Sequence, residues 1–250
     1  MASHNEAKLG DVEVLDALEA ARRIVDSQFP EAIAAFVPGS ASKVHSTKKS
    51  DLDILVVLRS GPSPFRETLR EFGWPVELFV HTTPSIEYFS HLEALGHRAT
   101  TQTMLAYGHI IISVGGNAER IQATAIKRLA DGPPPLSEEE MRRRRYELTD
   151  HLNDFLGTFD PAELIYVLGQ LIISISELAL LTSSHWLATG KWLPRHLAVS
   201  DPELSMRIRA ATDSVLNGGD KHEMEGIVRE VLDRVGGPLT VDTFSEEVTT

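Results

Sequence analysis

Hydrophobic positions switch between helical and strand patterns in the first half of the chain and keep a helical pattern in the second. From Asp11 to Gln28, Val12, Val14, Leu15, Leu18, Ala21, Ile24 and Val25 share one helical face. Phe29-Pro30 ends that helix, because proline biases its predecessor out of the α region. Ala32 to Val37 is a short apolar run that predicts a strand leading into Gly39-Ser40, and Asp51 to Leu58 opens on two aspartates and predicts a second. Between the breaks Ser60-Gly61-Pro62-Ser63-Pro64 and Gly73-Trp74-Pro75, the segment Phe65 to Phe72 reads as a short helix with Arg66, Glu67, Arg70 and Glu71 outward. Val76 to Val80 predicts another strand, in which Glu77 is the single charge; Pro84 to Leu95 predicts a helix, His109 to Val114 a strand, and Ala118 to Ala130 a helix. Such alternation describes a compact layer of helices on a sheet.

Asp131-Gly132-Pro133-Pro134-Pro135 is a stiff connector, and beyond it the pattern holds only helices. Ser137 with Glu140 forms a capping box, opening a helix to about Leu156 whose apolar stripe is Met141, Leu148, Leu152 and Phe155. Arg142 to Arg145 fan out around this helix, and the Arg143–Glu147 spacing pairs charge internally, so a solvated face is favoured over a nucleic-acid patch. Ala162 to Leu181 has the length of a membrane span, yet Glu163, Gln170 and Glu177 mark a polar stripe with Ser174 beside it. Charge is costly in a bilayer, so a central helix of a bundle is expected instead, with its stripe aimed at water or at a cleft. Pro202 to Leu216 and Glu223 to Val235 are two further helices. The expected organisation is α+β: a mixed-sheet domain over 1–131, an all-α bundle over 136–236 and a mobile tail over 237–250.

Composition changes this picture in three places. The 250 residues include no cysteine, which excludes disulfides and thiolate metal sites. A formal net charge of −12 argues against broad nucleic-acid binding and favours small cationic partners. The opening residues lack the basic and apolar blocks of a signal peptide, so a cytoplasmic location is expected.

The chemistry concentrates at Gly39-Ser40, ten residues, then Asp51-x-Asp53. Residues i and i+2 of a strand share a face, so Asp51 and Asp53 project together, and two carboxylates this close call for a cation, Mg²⁺ by its taste for oxygen. Gly39 lets the backbone approach a ligand, and Ser40 adds a hydroxyl. Singly, a turn-forming aspartate and a Gly-Ser loop are commonplace. Together, between two apolar runs, they resemble the Gly-Ser-x(10)-Asp-x-Asp signature of the DNA polymerase β-type nucleotidyltransferase superfamily, and the helical second half resembles its small-molecule, aminoglycoside-type members. The likeness covers roughly Ala32 to Val80; where many members carry a further Gly, this chain has Lys43-Val44-His45.

The resemblance implies a polymerase β-like nucleotidyltransferase domain in which two Mg²⁺ ions bridge Asp51, Asp53 and an incoming nucleoside triphosphate. Glu77 would be the third carboxylate, as metal support or base. Gly39, Ser40, Ser50 and Lys43 are the nucleotide-binding candidates. An acceptor hydroxyl attacks the α-phosphate, and pyrophosphate leaves. AMP from ATP is the expected group, and an aminoglycoside-like cation fits the acidic chain. Glu177 and Asp150 are the acceptor-binding candidates among the carboxylates, with Lys191 and Arg195 beside Trp192; Glu177 is also an alternative base. Whether the cleft is built across a homodimer, as in some relatives, stays open. Two other readings are kept: transfer of AMP to a protein partner, and a nucleotide-binding module without catalysis.

Overall fold

The computed structural model of the protein describes residues 16–38, 51–61 and 64–240. Helix α1, Ala17–Gln28, starts where Asp16 accepts hydrogen bonds from the amides of Leu18 and Glu19, the N-cap that short acids provide. Strands β1 (Ala32–Val37) and β2 (Leu52–Leu58) follow, then β3 (Phe65–Glu71), β4 (Trp74–Thr82) and, later, β5 (His109–Ser113). They form a mixed five-stranded sheet in the order β3-β4-β2-β1-β5. All neighbours are antiparallel except β2 and β4, which run parallel with Asp53 opposite Glu77 and Leu55 opposite Phe79.

Alternation along the strands divides the core in two. Leu52, Ile54, Val56, Val76 and Leu78 pack with α1 on one face. Phe36, Leu55 and Val57 pack on the other with helices α2 (Thr83–Leu95), α3 (Thr100–Tyr107) and α4 (Asn117–Asp131). Thr82 and Ser85 exchange side chain-to-amide bonds, which opens α2 immediately after β4.

The segment Phe65 to Phe72, expected to be helical, is the edge strand β3 instead. Phe72 and Gly73 take φ of 47° and 83°, the pair of left-handed residues that makes a tight hairpin and turns the chain back into β4. Once that hairpin sets the register, the charges expected on one helical face alternate, Arg66 and Arg70 on one side and Glu67 and Glu71 on the other.

A second unit comprises 132–250 together with 94–98, while the first comprises 1–93 and 99–131. Its helices are α5 (Glu138–Gly157), α6 (Pro161–Thr182), α7 (Trp192–Ser200), α8 (Pro202–Leu216) and α9 (His222–Asp233). Ser137 Oγ accepts from the Glu140 amide, as the capping box requires, and Asp160 caps α6 with proline at its first position. Leu148, Leu152, Phe155, Leu171, Ile175, Met224 and Ile227 belong to one continuous core. The short inclusion 94–98 joins this unit through Leu187, whose amide donates to the His97 carbonyl. His97 has φ of 54°, and its buried imidazole lies 3.5 Å from Glu140. Gly236 and Gly237, at the far end, accept from Arg145 on α5, and the Leu239 amide donates to Thr149.

By length and composition α6 is apolar enough to cross a membrane, yet 44% of its most apolar window is buried inside the protein. Its Leu168, Leu171, Ile175 and Leu178 supply that buried side.

Candidate functional site

The acidic site of the first unit is assembled by strand register. Leu52 and Ile54 point into the α1-side core, so Asp53 between them points to the opposite face, and Val76 and Leu78 place Glu77 in the same way. Parallel pairing sets Asp53 beside Glu77, on backbones about 4.8 Å apart. Asp51 stands one residue before the strand and is exposed. Glu77 was expected either in a site or as an edge-strand charge; β4 lies between β3 and β2, so it is an interior position of the sheet. The C-terminal end of β1 lies beside the start of β2, since Phe36 pairs with Leu55. Gly39, Ser40, Lys43 and Ser50 lie in the connection between those two strands and outside the described residues.

Glu77 has a cationic neighbour. Arg66 on β3 donates to its carboxylate at 2.6 Å and lays its guanidinium over the Phe79 ring at 5.1 Å. The Arg66 side chain is 59% exposed and that of Glu77 only 22%, so the carboxylate is the anchored partner. Higher on β4, His81 shares a hydrogen bond with Ser85 at 3.1 Å and meets the Phe89 ring edge-on. Burial lowers its pKa from the ordinary 6.5, so this imidazole favours the neutral form.

Asp53 and Glu77 offer carboxylate oxygens, the donor type a hard divalent cation prefers. Mg²⁺ is ordinarily held by one or two carboxylates, with substrate phosphates and water completing its shell, and Asp53 with Glu77 supplies that number. Among the described residues, no group of three or more His, Asp or Glu side chains converges as metal ligands.

The second unit has a polar cleft of about 300 Å³ between α5 and α6, lined by Arg144, Glu147, His151, Gln170, Ser174 and Glu177. Arg144 donates to Glu177 at 3.2 Å and to Glu140 at 3.4 Å, while Arg143 holds Glu147 at 2.7 Å. His151 Nδ1 shares a 2.8 Å hydrogen bond with Ser174 Oγ. The stripe Gln170, Ser174 and Glu177 therefore faces a cleft. Of the four acceptor-binding candidates, Glu177 alone lines it. Asp150 is exposed on α5, Lys191 caps α7, and Arg195 lies over the Trp192 ring at 4.7 Å. Arg144 was read only as part of a solvated arginine run and His151 was not singled out, although their seven-residue spacing, with Glu147 between, repeats the period of the stripe they face.

The first unit also holds a cavity of about 210 Å³ beside α2, α3 and α4, with Gln102, Asn117, Arg120, Thr124 and Arg128 on its wall. Its arginines are engaged: Arg128 with Glu87, and Arg120 with Asn117 and the Gly115 carbonyl.

The sequence matches no protein-family model and no curated protein. Among solved structures, the chain is similar to a nucleotidyltransferase-like protein from Exiguobacterium sibiricum, with 14% identity, a TM-score of 0.45, and coverage of 87% of this chain and 73% of that one.

Proposed function

We propose that the protein is a Mg²⁺-dependent nucleotidyltransferase that moves a nucleoside monophosphate, AMP from ATP, to a hydroxyl of a small cationic acceptor. The observation that carries this reading is the pairing of Asp53 with Glu77 on adjacent parallel strands, at the end of the sheet where β1 finishes and Asp51 immediately precedes β2. Asp51, Asp53 and Glu77 would hold Mg²⁺, which when bound neutralises triphosphate charge at the reacting phosphorus. The acceptor oxygen forms a bond to the α-phosphorus as the bond to the pyrophosphate oxygen breaks. Glu77, which accepts a hydrogen bond from Arg66, either supports the cation or takes the acceptor proton. In the second unit, the α5–α6 cleft offers Glu147, Glu177 and hydroxyl and amide groups to a polyhydroxylated cation. The chain's net charge of −12 favours that acceptor class.

The test is a pyrophosphate-release screen of ATP, GTP, CTP and UTP with Mg²⁺ against aminoglycosides, lincosamides and candidate proteins. Asp53→Asn is expected to lower release by on the order of 10²-fold or more, with an unchanged circular dichroism spectrum. Full activity in that variant removes the carboxylate assignment. Nucleotide binding without release under any acceptor would replace catalysis with a binding role.

A further inference from the structure

The cavity beside α2, α3 and α4, about 210 Å³ in volume, takes no part in the acidic site. Thr83 on its wall opens α2 directly after β4, and Asn117 opens α4 shortly after β5. Ser113, the last residue of β5, and Val57, near the end of β2, both pair with Ala34. The cavity therefore belongs to the end of the sheet where β2, β4 and β5 finish. Asp53 and Glu77 belong to the other end, since β4 advances roughly 16 Å from Glu77 to Thr82 at ~3.3 Å per residue.

Helix α4 turns a polar row toward the cavity: Asn117, Arg120, Thr124 and Arg128, at spacings of three and four. Gln122 donates to the carbonyls of Leu105 and Gly108 at 3.1 and 2.9 Å, which clamps α4 onto α3 and keeps the walls in place. The two arginines are held in different ways. Arg128 pairs with the Glu87 carboxylate, which offsets its charge. Arg120 donates to Asn117 Oδ1 at 2.7 Å and to the Gly115 carbonyl at 3.0 Å. Both acceptors are neutral, so these bonds fix the guanidinium without cancelling its charge. Gly115 and Gly116 take φ of 61° and 72°, a left-handed turn that glycine permits, and a Cβ on Gly116 would lie 3.4 Å from Arg120 Nη1. The adjacent Glu119 bonds to the Ser113 hydroxyl instead. Two arginines and one glutamate leave the wall one positive charge, on a chain whose net charge is −12.

We propose that this cavity binds a small organic monocarboxylate, its carboxylate on Arg120 and its apolar body against Ile86, Leu105 and Ile121. A guanidinium meets a carboxylate through charge-assisted hydrogen bonds, and Arg120 has further N–H groups beyond the two that hold it. At about 30 Å³ per water, the volume corresponds to about seven waters, the size of a ligand of roughly seven to ten non-hydrogen atoms. Inorganic phosphate fits less well. Glu87 on the same wall repels a dianion, and the apolar side offers an inorganic ion nothing in return for its lost hydration.

Backbone amide NMR shifts of the intact chain, titrated with sodium benzoate, provide the test. Saturable shifts are expected at Leu105 and Thr124, with benzamide, the neutral isostere, binding about 10-fold or more weakly. Arg120→Gln is expected to weaken benzoate by about 10-fold or more. Thr124→Trp, which fills the cavity and leaves Arg120 in place, should abolish binding; circular dichroism checks that both variants fold. Asp53→Asn should leave the benzoate affinity unchanged. Cyclohexanecarboxylate and 3-methylbutanoate vary the shape of the apolar body. No saturable shift from any of the three acids at millimolar concentration overturns the proposal, as does benzamide binding as tightly as benzoate. Inorganic phosphate displacing benzoate from the same amides at lower concentration would make this a phosphate site and overturn the carboxylate assignment. The readout is binding alone, so it stands or falls separately from pyrophosphate release.

Discussion

The two units hold buried and half-buried charge by different means. In the first, the carboxylates are placed by backbone: Asp53 and Glu77 share a rung of the β2–β4 ladder, and no side-chain contact between them is needed. In the second, placement depends on side chains reaching across helices, as Arg144 does in joining Glu140 to Glu177. A ladder position survives loss of its neighbour. A networked position does not, because removing one member leaves others half-buried without their counter-charge. The same Arg–Glu chemistry is thus ornamental in one unit and structural in the other.

Truncating each arginine breaks or sharpens this contrast. Arg144→Ala is expected to have the larger effect, about 1–3 kcal/mol of stability by denaturant unfolding, because its side chain is only 16% exposed and two carboxylates depend on it. A cost no larger than that of a surface pair would show that the bundle tolerates the loss as the sheet does.

An intermediate effect comes from pH. Burial lowers the His81 pKa below 6.5, so below that value the unfolded chain binds a proton that the folded chain resists. The first unit therefore keeps this contribution above pH 6.5 and loses it as pH falls toward the lowered folded value. In the second unit, hydrogen bonds from Arg207 and Arg234 lower the Glu230 pKa below 4.5, so its contribution persists until pH falls below that value. Hydrogen exchange at successive pH values should find protection in β4 weakening first, and His81→Gln should flatten that response. Simultaneous weakening of β4 and α9 in the wild type, with no change in the variant, would contradict the assignment.

The smallest expected change is in Arg66→Ala, below about 0.5 kcal/mol, as befits an exposed ion pair. Its informative readout is Mn²⁺ affinity by calorimetry in the presence of nucleotide. Removing the cation that competes for Glu77 should tighten binding if Glu77 is a ligand; unchanged or weaker binding would remove it from the set.

Legibility in the sequence followed the range of the interactions involved. The apolar runs of β1 and β2 were readable because near-continuous burial leaves a continuous hydrophobic trace, and β4 because its buried positions alternate with half-buried, mostly apolar ones. Ser137 and Glu140 announced α5 because a cap is a local device. Edge strand β3 was not readable: exposed on both faces, it has no apolar period, and its doublets Arg66-Glu67 and Arg70-Glu71 mimic the four-residue repeat of a helix. Helix α3 was missed because it lacks a side-chain cap and its buried residues include Thr101 and Gln102, which hydropathy counts as polar. Helix α7 was not predicted, since Gly190 stands just before it, Pro194 falls in its first turn, and only Leu193 and Leu197 are buried in it. At the site, Asp51-x-Asp53 could be found locally, whereas the rung joining Asp53 to Glu77 depends on the parallel strand order, which no nearby residue encodes.

The inclusion of 94–98 in the second unit has a consequence in time. His97 leaves the ribosome well before Glu140 and Leu187, the residues that receive it. The first unit can therefore complete its sheet when Asp131 emerges, but the short segment between α2 and α3 must wait with its imidazole uncovered until α5 and then Leu187 have been synthesised. Synthesis order alone therefore places this segment's final surroundings later than those of the sheet that precedes and follows it.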